Sequence, residues 1–395
     1  MSSTPTTRGS APTPLRRLVL LVGAVVLVDT MFFAAITPLL PDYSQRLDLS
    51  KAAAGVLSAS YGVGGLLGSL PAGWLAARFG VRPTVLLGLG LLGSSSVAFG
   101  LANDVVVLDV ARFVQGVGGG CLWAAGLAWL IAVAPRERRA ELLGAALGAA
   151  IFGALLGPAL GALASVAGTG PTFVGVAAVA AGLAAFALSM PAPPAGDQHD
   201  PRRLIGAMRD PRVAGGLWLI VVPSLAFGVV GVLGSLRLDV LGASTVAIGA
   251  VWIVGAAFET VVSPYAGRLA DRHGSVAVAR AGLALAAGLT IGLPLAGSAW
   301  LLALFIVLAS PSYGTLWVPG MALISDGAES AGMDQGYAFA LFNVAWAAAQ
   351  ITGSAGGAAL AQATGDIVPY ATIVALALGT VVVLGRHRRA PAVPA

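Results

Sequence analysis

The chain is 395 residues long, 57% hydrophobic and 10% charged, with 54 glycines, a composition that excludes an ordinary soluble domain. Its formal net charge is +5, but the basic residues lie in short connections between apolar runs, which argues for a lipid bilayer and against nucleic acid as partner. The single cysteine, Cys121, lies within an apolar run, so no internal disulfide is possible.

The first 14 residues are polar and read as a disordered cytoplasmic tail. The apolar run after Arg16 and Arg17 is too long for a cleavable signal and lacks a small-residue cleavage site. Twelve apolar spans follow, at about 15–40, 52–77, 83–102, 105–134, 140–166, 171–190, 213–236, 244–268, 276–296, 299–324, 334–362 and 367–385. A helix needs roughly 20 such residues to cross a bilayer. Residues 191–212, rich in proline and charge, read as a cytoplasmic linker between a first six-helix bundle, 15–190, and a second, 213–385. Residues 386–395 read as a cytoplasmic tail. The expected fold class is an all-α membrane protein with twelve transmembrane helices in two pseudo-symmetric bundles. Eighteen basic residues fall in the two termini and the even-numbered loops, against Arg46, Lys51 and Arg237 on the other side. Basic loops stay inside, so both termini are expected on the cytoplasmic face of the cell membrane.

Span 1 carries Asp29, twelve residues past Arg17 and eleven before Leu40, near mid-membrane at ~1.5 Å per residue. Desolvation at that depth favours a protonated carboxyl, which makes Asp29 a candidate proton carrier or the counter-charge of a cationic substrate. The plainer reading is a structural acid bonded to a neighbouring helix. Phe33, in the same span, is counted among the substrate-facing candidates. Span 4 places Arg112, Gln115, Gly119 and Trp123 on one helical face, which cannot turn to hydrocarbon. Arg112 reads as a positive element acting on the acids; alternatively Asp109, three residues earlier, simply neutralises it. Gly118, Gly119 and Gly120 suit close helix approach rather than phosphate binding, since no strand precedes them.

Span 5 spaces Gly153, Gly157, Pro158 and Gly161 for close packing with a bend, either as plain packing or as a flexible seam between halves. Span 8 holds the second deep acid, Glu259. Span 10 offers Tyr313 and Trp317, and Tyr313-Gly314 matches Gln115-Gly116 at an offset of 198. Span 11 carries Asn343, Trp346, Gln350 and Ser354 at steps of 3, 4 and 4, a polar stripe that must face protein or water.

The halves also repeat. GWLAARFGVRP (73–83) aligns with GRLADRHGSVA (267–277) at an offset of 194, pairing Gly73, Leu75, Arg78 and Gly80 with Gly267, Leu269, Arg272 and Gly274. Glu141 and Asp334, at the starts of spans 5 and 11, are related by 193. The expectation is that Arg78 approaches Asp334, and Arg272 approaches Glu141, when the cytoplasmic side is closed.

On these features the chain resembles the major facilitator superfamily over about 15–385, and more narrowly its twelve-helix drug:proton antiporters. The loop pattern Gly-x-Leu-x-Asp-Arg-x-Gly-Arg is met at Gly73, Leu75, Arg78, Gly80 and Arg82, with Ala77 in the acidic position that Asp271 keeps in the second half. The fourth-helix pattern is met by Arg112, Gln115 and Gly116. The fifth-helix antiporter pattern is met by Gly153, Gly157, Pro158 and Gly161. The stretch 28–43 resembles tetracycline and monoamine antiporters, which carry an acid there before a Pro-x-x-Pro ending.

The resemblance implies a secondary active transporter exporting an amphipathic, cationic small molecule or drug in exchange for protons. Proton coupling would fall to Asp29, Glu259 and Arg112. Substrate contact would fall to Asp29, Phe33, Gln115, Trp123, Tyr313, Trp317, Asn343, Trp346 and Gln350. Gating would fall to the loop residues Gly73, Arg78, Gly80, Arg82, Asp271 and Arg272, to Glu141 and Asp334, and to the fifth-helix motif. A metabolite exporter or importer on the same fold, or a non-transporting membrane sensor, are the alternatives. With no hydrolase or kinase motif and no metal-ligand cluster, neither an enzyme nor a cofactor is expected. The expected partners are substrate, protons and lipid around a monomer.

Overall fold

With no water in the hydrocarbon layer, a spanning chain must satisfy its backbone internally, and the described chain does so as helices. The computed structural model describes residues 13–135, 138–193, 210–330 and 335–387. The first half comprises α1 Thr13–Arg46, α2 Lys51–Phe79, α3 Val81–Leu101, α4 Val105–Val133, α5 Arg139–Ala167 and α6 Thr169–Leu188. In the second half α7 is Pro211–Val229, a π turn Val230–Gly234 and Ser235–Val240. Then come α8 Thr245–His273, α9 Ser275–Gly292, and α10 as Ala299–Gly314 and Trp317–Ser330. The last two are α11, as Gln335–Ile351, a π turn Thr352–Gly356 and Gly357–Thr364, and α12 Ile367–His387.

Among the described residues nine helices are long and apolar enough to cross a membrane, or ten if α2, bent by 43° between Ser69 and Pro71, is one span. Each expected span overlaps a helix, but the count of twelve spans is not reached among the described residues: α9 is short and α11 is interrupted. Helix α1 begins at Thr13, inside the stretch expected to be a tail, and the α7 helix begins at Pro211, inside the expected linker. Asp210 caps that start through Arg212 N, with proline at the first helical position where no N–H is needed.

The 194-residue repeat reaches down to single residues of the backbone. Ser50 and Ser244 each cap a helix by accepting from the amide three residues on, Ala53 and Ala247. Asp104 and Ser298 cap α4 and α10 at the same offset. Gly80 and Gly274 end α2 and α8 with φ of 99° and 88°. Asp48 and Gly242 are likewise equivalent, and both take positive φ. The caps correct one alignment: over α4 and α10 the offset is 194, not 198, so Trp317 corresponds to Trp123 and Gly314 to Gly120.

In the first half α1 packs on α5, α2 on α4, and α3 on both α4 and α6. The three consecutive glycines of α4 face three different helices: Gly118 meets Gly88 of α3, Gly119 meets Asp29 of α1, and Gly120 meets Gly68 and Ser69 of α2. Phe32, Phe99 and Phe173 join α1, α3 and α6 with ring centroids 4.9–5.6 Å apart. Large apolar side chains left exposed on the outside, such as Leu101, Val166 and Trp300, suit a hydrocarbon surround.

The halves meet along two repeat-related pairs, α2 with α11 and α8 with α5. In the first, a side chain at Gly55 would collide with Ser354 O and Ala358, and one at Gly62 with Ile351. Around this seam Lys51 pairs with Asp366, Ala52 N donates to Gln362 Oε1 at 2.9 Å, and Gln45 Nε2 donates to Asp239 Oδ2 at 2.6 Å. Gln45 and Asp239 are themselves repeat partners, so their contact lies on the pseudo-two-fold axis. Toward the opposite, Arg78 end, Leu67, Trp74, Val261, Tyr265 and Leu269 are exposed, and Gly73 and Gly267 have nothing within 4 Å of an added Cβ. The structure is closed at the Lys51 end, and among the described residues the halves part toward the other.

Gly55→Leu should prevent that closure. Lys51 is the only lysine in the chain, so a membrane-impermeant amine reagent reports on it. Labelling of Lys51 is expected to rise severalfold in Gly55→Leu; labelling no faster than in the parent protein would show that the seam is not what closes this end.

Candidate functional site

Asp29 is fully buried in α1, with Gly119 of α4 directly opposite; a Cβ there would lie 3.0 Å from each carboxylate oxygen. Oδ2 accepts from Tyr61 OH at 2.8 Å and from Trp123 Nε1 at 3.2 Å, while Oδ1 has no partner. The glycine is what lets the acid reach the indole. Tyr61 comes from α2 and was not among the residues singled out in the sequence. Its setting in Tyr-Gly-Val-Gly-Gly was the available signal, since Gly64 packs against the Phe113 carbonyl of α4.

Arg112, also fully buried, does not pair with Asp109; no ion pair within 4.0 Å joins them among the described residues. Its Nη1 donates to Gln115 Oε1 at 2.8 Å and Phe32 O at 3.4 Å, and its Nη2 to Phe33 O at 3.1 Å. Carbonyl oxygens have a second lone pair to offer after helix bonding. The guanidinium also lies over the rings of Tyr61 and Phe33, at 5.4 and 5.7 Å from their centroids. Arg112 therefore ties α4 to the turn of α1 that follows Asp29. Neutralisation by Asp109 within the helix gives way to these bonds.

Glu259 in α8 repeats the carboxylate–indole motif. It accepts from Ser310 Oγ at 2.7 Å and Trp317 Nε1 at 3.1 Å, and Gly314 packs beneath it. The two tryptophans are repeat equivalents, but the acids come from α1 and α8, which are not. Glu259 is also partly exposed, where Asp29 is sealed.

Between the acids lie aromatic rings. Phe33 lies tilted against Tyr61 at 4.6 Å and meets Trp346 of α11 edge-on at 5.5 Å, which carries the contact across the halves. Trp317 lies parallel to Phe227 at 6.2 Å and tilts against Phe342 at 6.1 Å. Asn343 and Gln350 are partly exposed on α11. Tyr313 instead turns into the second bundle, buried, with its hydroxyl 3.0 Å from Thr290 Oγ1.

The fifth-helix motif faces α1: Gly153 lies on Leu27 and Thr30, Gly157 on Met31 O and Ala34, and Gly161 on Ala35 and Pro38. The next atoms along, Pro158 O and Ala162, touch Gly249 of α8. One helix thus packs within its half and against the other. At the Arg78 end, Arg78 and Arg272 are exposed, and Arg82 donates to Met190 O at 3.2 Å. Glu141 pairs with Arg138 at 2.9 Å. Asp334 lies outside the described residues, as does the side chain of Asp271. The Arg78–Asp334 and Arg272–Glu141 contacts were expected of a state closed at this end; the described residues are parted there, and Asp334 is not among them.

A family model described as Major Facilitator Superfamily matches residues 22–349. Probable vesicular acetylcholine transporter-A of Danio rerio is 29% identical over 166 residues, 36% of this chain and 32% of that protein. Multidrug resistance protein 2 of Bacillus subtilis is 28% identical over 125 residues, 30% of this chain and 31% of that one. The chain thus spans about a third of the length of the curated relatives it matches. Among solved structures, a POT family transporter in complex with 5-aminolevulinic acid superposes with a TM-score of 0.75 at 14% identity, covering 93% of this chain and 95% of that one. A bacterial homolog of the human lysosomal transporter Spinster gives 0.74 at 16% identity, covering 96% of each. The fold, the repeat and a family match over most of the length agree: the chain belongs to the Major Facilitator Superfamily.

Proposed function

We propose that this protein is a secondary transporter of the cytoplasmic membrane that exports an amphipathic, cationic small molecule in exchange for protons. Twelve spans with both termini in the cytoplasm, and the Lys51 end outside, follow from the distribution of basic loops. The observation that carries the reading is the sealed carboxyl of Asp29, held by a phenol and an indole with one oxygen unpartnered. A site with no exposed surface takes a proton more readily than an organic cation. Glu259, partly exposed beside Trp317 and Phe227, has the surroundings to meet the charge and rings of a substrate. In this division of labour the substrate binds from the Arg78 end and protons enter from the Lys51 end. Each ligand biases the same equilibrium between closure at the Lys51 end and closure at the Arg78 end.

The test is reconstitution in proteoliposomes with an imposed pH gradient and a fluorescent lipophilic cation. Gradient-driven movement of the cation, with stoichiometric proton counterflow, is expected. Binding of the cation without any movement would favour a membrane sensor instead, and movement indifferent to the gradient would favour a metabolite facilitator.

A further inference from the structure

We propose that Asp109 is a second proton-binding group, in series with Asp29 and nearer the Lys51 end, through which the sealed carboxyl exchanges protons with the outer medium. The inference rests on the proton-exchange reading above and adds a residue that reading does not use. Asp109 lies one turn past the α4 start capped by Asp104 and is only partly buried. Arg112, the cation that could have neutralised it, is engaged by Gln115 and two α1 carbonyls instead. A partly buried carboxyl one turn inside the span, with no cation committed to it among the described residues, has little structural reason to be an acid.

Among the described residues its one polar contact is Ser60 Oγ, 3.4 Å from Oδ1. The Ser60 hydroxyl makes its shorter bond, 2.8 Å, to Val56 O. With the hydroxyl proton there, the Ser60 lone pairs can accept from a protonated Asp109. The next residue along α2 is Tyr61, whose phenol bonds Asp29. Adjacent residues of one helix thus contact the two acids, and the Arg112 guanidinium lies over the Tyr61 ring.

Three buried polar atoms without protein partners lie along this column: Arg112 Nε, Gln115 Nε2 and Asp29 Oδ1. Such atoms are ordinarily satisfied by ordered water, so Arg112, Gln115 and Asp29 each offer a polar site to a water. A proton taken up by the Asp109 carboxylate would pass along these sites to the Asp29 carboxylate, leaving Asp109 ionised again. Among the described residues, the titratable and charged groups facing this path are Arg112 and Asp109 from α4, Tyr61 from α2, and Asp29 and Tyr43 from α1.

The experiment compares gradient-driven export with substrate–substrate exchange, which needs no net proton transfer, in proteoliposomes. Asp109→Asn should leave exchange unchanged and slow gradient-driven export by about 10²-fold, the lower end for a lost proton-transfer group. Asp109→Glu should recover most of the loss. Unchanged gradient-driven export in Asp109→Asn, beside a parent protein that couples normally, would overturn the role. Equal loss of both modes would make Asp109 structural and overturn it as well. If Asp109→Asn does not insert, Ser60→Ala serves: slowed coupling with normal exchange supports the path, and unchanged coupling overturns it. A parent protein that shows no coupling would sink proton exchange itself, and this role with it.

Discussion

Asp29→Asn should abolish gradient-driven transport, with coupled flux down by about 10²-fold or more, while leaving the protein inserted and folded. The substitution is nearly isosteric, and the amide oxygen can still accept from Tyr61 or Trp123. Loss of stability should therefore stay near 1 kcal/mol, the scale of one altered hydrogen bond. What the amide cannot do is gain and lose a proton. Thermal unfolding in detergent beside flux in proteoliposomes separates the two effects. Retained gradient-driven transport in a stable variant would remove Asp29 from the coupling role and leave it as a bonded structural acid.

Arg112→Ala should be the most damaging change in the other direction, affecting structure and transport together. It removes the bonds to Phe32 O, Phe33 O and Gln115 Oε1 and opens a cavity under the rings of Phe33 and Tyr61. Charged hydrogen bonds contribute about 1.5–3 kcal/mol each, so a drop of several degrees in Tm is expected. Arg112→Lys should recover part of the stability but little transport, because one ammonium cannot span two carbonyls and an amide as the guanidinium fork does. Removing Asp109 as well should not rescue Arg112→Ala, since the two are not paired. Full rescue in the double variant would restore the simpler account of a helix-local ion pair.

Much of this architecture was legible in the residues. Span 4 was expected at 105–134 and the helix runs Val105–Val133, because Asp104 at one end and Pro135 just beyond the other punctuate an unbroken apolar run. The 194-residue offset was visible in the loops, where glycine and arginine recur for backbone and topological reasons. It was misjudged in span 10, because a two-residue match such as Tyr-Gly against Gln-Gly carries less register information than a helix cap. The depth of Asp29 could be counted from its helix. Its partners could not, since Tyr61 and Trp123 arrive from other helices at separations that periodicity does not report. Arg112 shows the same limit more sharply: sequence displays a neighbouring carboxylate, whereas main-chain oxygens are present everywhere and are marked nowhere.

The match between Ser50 and Ser244, Asp104 and Ser298, and Gly80 and Gly274 shows a duplicated backbone preserved to the residue, while the two acids occupy non-equivalent helices. Geometry was inherited twice and chemistry once. A carrier built this way has two-fold-related seams but no two-fold-related ligands. The axis that relates the halves runs along the membrane normal and does not exchange the two faces, so nothing in the repeat makes the two half-cycles cross equal barriers, even though gradients alone decide the net direction of flow. Apparent affinities measured from the two faces of the membrane have no reason to agree, and the difference between them is a kinetic record of where each acid settled.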